Sequence, residues 1–189
     1  MKLLHLLPIG NVDDRLLKDL RPGLEETFHI SCRALSGRLD PAFAFHGERQ
    51  QYHSSEILER MQCFLPADSW RMLGVGAVDL YIPILTFVFG EAQMGGPCAV
   101  LSTHRLRQEF YGLAPDDELL SERLIKESVH ELGHTLNLTH CDDYRCVMAS
   151  SHAVEWIDLK ERALCGICRA AATPVENDVK GRPPGVLAG

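Results

Sequence analysis

The chain has 189 residues, 46% of them hydrophobic and 24% charged, a balance that suits a folded core and excludes a disordered polymer. Its formal charge of −7 argues against nucleic acid as a partner, and no run approaches the roughly 18 apolar residues of a membrane span. Seven cysteines without an export signal favour a reducing cytosol and thiolate chemistry over a disulfide framework.

The opening Leu3-Leu4-His5-Leu6-Leu7-Pro8 imitates a signal peptide, but it is short, broken by His5 and followed by Asp13, Asp14 and Arg15, so residues 3–9 read as a first strand. A helix is expected over 12–20, opened by Asn11 or Asp13 and stopped by Pro22-Gly23, then a second strand over 27–35. Residues 54–64 read as a helix with Ile57, Leu58 and Met61 on one face and Ser54 or Ser55 as its cap. Buried strands are expected at 77–85 and 87–89, and another at 98–102 after the Gly95-Gly96-Pro97 turn. This alternation implies an α/β (α+β) fold, with a mixed sheet of about five strands and helices packed against it.

A long helix follows over 117–138. Pro115 and Asp116 supply its turn and cap, and acidic residues sit at the positive end of its dipole. Leu120, Leu124, Val129, Leu132 and Leu136 should face the sheet, leaving His130 and His134 towards an open cleft. A final helix is expected over 156–169, carrying Cys165 and Cys168. The domain reading is a single unit over 1–172, with a sheet lobe (1–138), a smaller lobe (139–172) and a flexible tail (173–189).

Within the long helix stands His130-Glu131-Leu132-Gly133-His134, and the chain continues to His140, Cys141, Cys146 and Met148. Histidines four apart on a helix point the same way, so both can grip one divalent ion with Glu131 beside them. With 9 His in the chain, chance supplies such a pair with its glutamate in roughly 3% of sequences, and roughly 0.15% once a third histidine at this spacing is required. Three imidazoles leave a fourth tetrahedral position for water, which zinc acidifies to near pH ~7, and Glu131 is placed as general base. A structural site would need no glutamate there and would be closed by a fourth protein ligand. The rival from another class is a non-catalytic zinc module that holds a fold or a partner-binding surface.

The longer pattern resembles the metzincin metallopeptidases, whose signature is H-E-x-x-H-x-x-G-x-x-H followed by a methionine turn. With Cys141, Cys146, Cys165 and Cys168 added, the match is to the archaemetzincins. The resemblance spans most of residues 1–170 and implies a zinc-dependent metallopeptidase with His130, His134 and His140 as ligands, Glu131 as base and Met148 as an apolar floor. One position departs from the pattern. Asn137 stands where glycine lets the chain leave the helix through a left-handed turn, and asparagine tolerates that backbone best after glycine, at about 1 kcal/mol. Some metzincins also place a tyrosine two residues after the methionine; here that residue is Ser150.

The four late cysteines form C-x4-C-x18-C-x2-C, and the C-x-x-C half is a common chelate. Four thiolates close a coordination sphere, so this second zinc is expected to be structural and to orient His140 from the adjacent Cys141. Free buried cysteines or a redox pair are the alternative. Cys32, Cys63 and Cys98 read as plain core residues. Of the other histidines, His152 is the one placed to approach the cleft. The resemblance further implies a peptide substrate lying along a sheet edge, for which the backbone of Cys98, Ala99, Val100 and Leu101 is the candidate. The expected protein is a cytoplasmic monomer that engages neither nucleic acid nor membrane and carries two zinc ions.

Overall fold

The computed structural model describes residues 2–172. The tail proposed for 173–189 lies outside the described residues. The apolar run Leu3–Pro8 forms strand β1, buried at every position, including His5. The remaining strands are β2 (Cys32–Ala34), β3 (Phe45–His46), β4 (Gln51–His53), β5 (Ser69–Gly76), β6 (Leu80–Tyr81), β7 (Gly90–Ala92) and β8 (Cys98–Ser102). Among the described residues five α-helices accompany them: α1 (Asp14–Phe28), α2 (Ser54–Met61), α3 (Asp117–Thr135), α4 (Val154–Leu159) and α5 (Gly166–Ala171).

The main sheet has five strands in the order β2-β1-β5-β8-β7. The first four are parallel, and β7 runs antiparallel to β8 with Glu91 opposite Val100. Alternate residues feed two cores, as a pleated strand requires. Leu4, Leu6, Leu73, Val75, Ala99 and Leu101 pack with α1 and α3, while Leu7, Met72, Cys98 and Val100 pack with Ile57, Leu58 and Met61 of α2. A small sheet, β3-β4-β6, lies beside it. Among the described residues no helix is long and apolar enough to cross a membrane.

Several elements depart from the sequence reading. Helix α1 runs through Pro22 and Gly23 to Phe28, because Leu17, Leu20, Leu24 and Phe28 keep an unbroken buried stripe while Pro22 stays on the solvent side. On an exposed face the backbone carbonyl that proline leaves unpaired is open to solvent, which lowers the cost of the missing bond. Thr27 and Phe28 are therefore helical, and β2 starts only at Cys32. Strand β5 occupies 69–76, ahead of the expected 77–85; Arg71, Gly74 and Gly76 interrupt its apolar pattern, yet it is buried throughout. Ser54 and Ser55 do not cap α2; their hydroxyls donate instead to Glu91 of β7. Cys63 is exposed, whereas Cys32 and Cys98 are buried. The expected helix over 156–169 is two short helices, separated where Glu161 N–H donates to Arg145 C=O and Val147 N–H to Ala163 C=O. Strand β8 is not an edge. It is paired with β5 and β7 on its two sides, so the edge strands of the sheet are β2 and, next to β8, β7.

Candidate active-site cleft and metal centres

Helix α3 is capped by Asp116, whose carboxylate accepts from Leu119 N–H at 2.9 Å. From Arg123 to Gly133 every residue is buried, because α1, the sheet and the segment that carries α4 all pack against the helix. The last turns deliver His130, Glu131 and His134. At Asn137 the backbone turns left-handed, with φ of 65°, and the chain swings His140 back over the other two rings. The ring centroids lie 4.7, 5.0 and 5.3 Å apart, and one ligand nitrogen from each lies within 4.8 Å of the others. Asparagine fits at 137 with a further contact, since its side chain abuts Gly95, whose N–H donates to His134 C=O at 3.1 Å. A Cβ at Gly95 would lie 2.5 Å from Asn137 Oδ1.

The tautomers follow from the hydrogen bonds. His130 Nδ1 lies 2.8 Å from Val147 C=O, and His134 Nδ1 lies 2.7 Å from Leu138 C=O. A carbonyl only accepts, so each Nδ1 carries the proton and each Nε2 presents a lone pair. Those two Nε2 atoms are 3.2 Å apart. In a tetrahedral zinc site with Zn–N of about 2.0–2.1 Å, neighbouring nitrogens sit about 3.3 Å apart. Burial lowers the pKa of all three histidines, that of His130 furthest, so protonating a ring to relieve the facing lone pairs is opposed. The donor set and its spacing fit zinc.

Met148 is fully buried below this centre. A Cβ at Gly133 would lie 2.4 Å from Met148 Sδ, so the helix carries glycine there despite the conformational penalty of about 1 kcal/mol. On the opposite side β7 crosses directly over the carboxylate. A Cβ at Gly90 would lie 2.7 Å from Glu131 Oε1. Burial pushes the Glu131 carboxyl well above its ordinary pKa; the Glu127 charge adds to this and Lys160 opposes it. Glu127 and Lys160, both almost fully buried, form an ion pair at 3.4 Å beside the cleft. Glu127 stands four residues before Glu131, a helical spacing that could have pointed to it; nothing in the sequence marked Lys160.

The four expected cysteines also converge, with their sulfurs within 4.8 Å of one another. Cys141 Sγ and Cys165 Sγ are 3.8 Å apart, matching the edge of about 3.8 Å that a tetrahedron with Zn–S of 2.3 Å requires. The turn from 141 to 149 is closed by Cys141 N–H donating to Met148 C=O at 3.0 Å, so the methionine floor and the cysteine cluster share one piece of backbone. Cys165 Sγ accepts from Cys168 N–H, which with its other hydrogen bonds brings that thiol down to about 7, whereas burial pushes Cys168 up. Four sulfurs in these environments suit a cation that stabilises thiolates.

Above the histidines lies an open cleft of about 650 Å³, floored by Glu127, His130, Glu131, His134 and His140. Ser150, Ser151 and His152 line one bank, with His152 reaching the cleft as its position after the methionine suggested. Ile82, Leu85–Phe89, Gly90 and Met94 line the other. That second bank and the β7 edge went unnoticed in the sequence, where the 82–89 stretch reads as ordinary strand.

Residues 42–173 match the sequence profile of peptidase family M54. The archaemetzincin of Methanocaldococcus jannaschii is 42% identical over 161 residues, covering 85% of this chain and 87% of that one. That of Thermococcus kodakarensis is 36% identical, covering 89% and 94%. Among solved structures, a zinc-dependent peptidase from Methanocorpusculum labreanum superposes with a TM-score of 0.82 at 30% identity, covering 89% of this chain and 98% of that one. The archaemetzincin of Archaeoglobus fulgidus, complexed with malonate, gives 0.77 at 35% identity, covering 89% and 99%.

Proposed function

The chain belongs to peptidase family M54, the archaemetzincins, and from that premise we propose that His130, His134 and His140 hold its catalytic zinc and that Glu131 is its general base. The protein is a zinc-dependent metallopeptidase that acts on peptides. The observation that carries the residue assignment is the pair of Nε2 lone pairs facing each other at 3.2 Å while both Nδ1 protons are spent on backbone carbonyls.

When bound, zinc supplies Lewis acidity, acidifying a water and drawing charge from a scissile carbonyl. The chain does the rest. Val147 and Leu138 carbonyls fix two imidazole planes, and Met148 fills the space beneath them so that the rings cannot sink. Glu131 accepts the proton of the attacking water and passes it to the departing amine. Its burial raises the carboxyl above its ordinary pKa, and a cation at the imidazoles favours the ionised, accepting form. The free edge of β7 offers backbone groups to an extended peptide, a role read in the sequence for β8.

Cys141, Cys146, Cys165 and Cys168 are proposed to hold a second, structural zinc, supported by the sulfur spacing. Its place next to His140 lets it steady the third catalytic ligand. A single domain over 1–172, with lobes 1–138 and 139–172, a monomeric state and a cytosolic location complete the reading; seven free cysteines suit that compartment. The deciding experiment is Glu131→Gln. The enzyme keeps its zinc and fold but loses turnover; equal peptidase activity in wild type and variant overturns the assignment of the base.

A further inference from the structure

The segment 82–89, Ile-Pro-Ile-Leu-Thr-Phe-Val-Phe, is apolar at all but one position, yet where it lines the cleft Leu85 is 49% exposed and Phe87 and Val88 are half-buried. Apolar groups held open to water at the mouth of a catalytic cleft need a reason, because covering them is favourable. Leu85, Phe87 and Phe89 line the cleft bank opposite His152.

The backbone of this bank is held by a polar network. Arg49 Nη2 donates to Leu85 C=O at 2.8 Å and to Thr86 C=O at 3.0 Å. Gln51 Nε2 donates to Thr86 C=O and to Asp79 Oδ2, both at 3.0 Å. Asp79 also takes a two-pronged grip from Arg105, at 2.6 and 2.7 Å. The Arg105 guanidinium in turn lies over the Phe87 ring at 4.1 Å. Two arginines, an amide and a carboxylate therefore fix a segment that is anchored in the core at Phe89 and open to solvent at Leu85. Such rigidity lowers the ordering cost when a ligand covers the surface.

We propose that segment 82–89 is a preformed specificity wall that seats a large apolar side chain of the peptide beside the scissile bond, with Arg49, Gln51, Asp79 and Arg105 as its positioning residues. This rests on the peptidase reading above, and it adds which peptides the cleft prefers. Leu85 and Phe87 give the wall its contact surface. Ile84, on the same segment but not lining the cleft, plays no part in recognition.

The test uses the full, zinc-loaded chain carrying Glu131→Gln, so that binding is read without turnover. Two fluorescent glycine–serine peptides are compared by anisotropy, identical except that one carries a single leucine or phenylalanine where the other has serine. The wall predicts roughly tenfold tighter binding of the apolar peptide, the scale on which an apolar pocket discriminates. Adding Leu85→Ser or Phe87→Ser should shrink the preference to about threefold or less, whereas Ile84→Ser should leave it intact. In the otherwise wild-type enzyme, Arg49→Gln should raise KM for the apolar peptide several-fold, with kcat, zinc content and melting temperature unchanged. Equal binding of the two peptides, or a preference that survives both wall variants, overturns the proposal. If the wild type binds the apolar peptide tightly without cutting it, the wall stands and the catalytic reading falls. If it cuts and binds both peptides equally, the reverse holds.

Discussion

The two donor clusters meet at adjacent residues, His140 and Cys141, but they are made from different materials. The histidine centre takes two of its three donors from one long, deeply buried helix and keeps an open cleft above them. The cysteine cluster is assembled from the turn after α3, which carries Cys141 and Cys146, and the start of α5, which carries Cys165 and Cys168, with the four sulfurs facing one another. An imidazole can be aimed by a hydrogen bond from its far nitrogen, as Val147 and Leu138 do, so a neutral ligand can be held on a rigid frame before any ion arrives. The thiols are aimed by weaker bonds, Cys168 N–H to Cys165 Sγ and Cys165 N–H to Cys146 Sγ, and four of them become thiolates around one centre only with a cation to stabilise them. With zinc in both centres as proposed, rigidity goes with chemistry in one, and metal dependence goes with stability in the other.

Breaking each centre separately should give opposite phenotypes. The largest effect on stability is expected from Cys168→Ser, which should remove one zinc equivalent and cost on the order of 5 kcal/mol, since a structural zinc contributes folding energy outright. Metal analysis with thermal melting checks this; unchanged metal content and unchanged melting would sink the four-cysteine assignment. Glu131→Gln should do the reverse, lowering kcat roughly a thousandfold while leaving zinc content and melting alone. Gly133→Ala sits between these outcomes. Its new methyl would meet Met148 Sδ at 2.4 Å, and relief of that clash should cost about 2 kcal/mol and weaken zinc at the histidines but not at the cysteines.

Smaller effects sharpen the comparison at the junction. Asn137→Val places a β-branched residue at φ of 65° and should cost about 2 kcal/mol, with weaker zinc binding through His140, whereas Asn137→Gly should stay within about 1 kcal/mol of wild type. Chemical denaturation with a zinc competition assay separates the two. The smallest effect concerns Asp79. Burial works against its carboxylate, but hydrogen bonds from Arg105 and Gln51 and the Arg105 charge outweigh that and hold its pKa below the ordinary value. A depressed folded pKa means that the stability it contributes is present above about pH 4 and is lost as pH falls through the folded value. Asp79→Asn should therefore flatten the acid limb of the stability curve and leave neutral stability lower; an identical acid limb would count against the network.

The difference between the centres also explains what could be read in the sequence. His130, Glu131 and His134 were legible because a helix turns spacing into direction, and the cysteines because a C-x-x-C turn does the same over a shorter span. Asn137 was legible as a left-handed residue, though its contact with Gly95 was not, since that depends on a hairpin 42 residues earlier in the chain. The edge strand was misassigned because Cys98–Ser102 and Gly90–Ala92 differ in which has a neighbour on both sides, a property of topology that no local pattern carries. Helix α1 overran Pro22 because burial of Leu24 and Phe28 outweighed a local stop signal on an exposed face. Lys160 was silent because its partner, Glu127, lies 33 residues away.

The central claim is that one metal sits among three imidazoles with a position left open, while another is enclosed by four thiolates. An anomalous-difference map collected at the zinc edge on zinc-replete crystals tests it directly. Two peaks are expected, one about 2.0–2.1 Å from the His130, His134 and His140 nitrogens with solvent at its remaining vertex, the other about 2.3 Å from all four sulfurs. A single peak, or a protein side chain occupying that vertex, would contradict it.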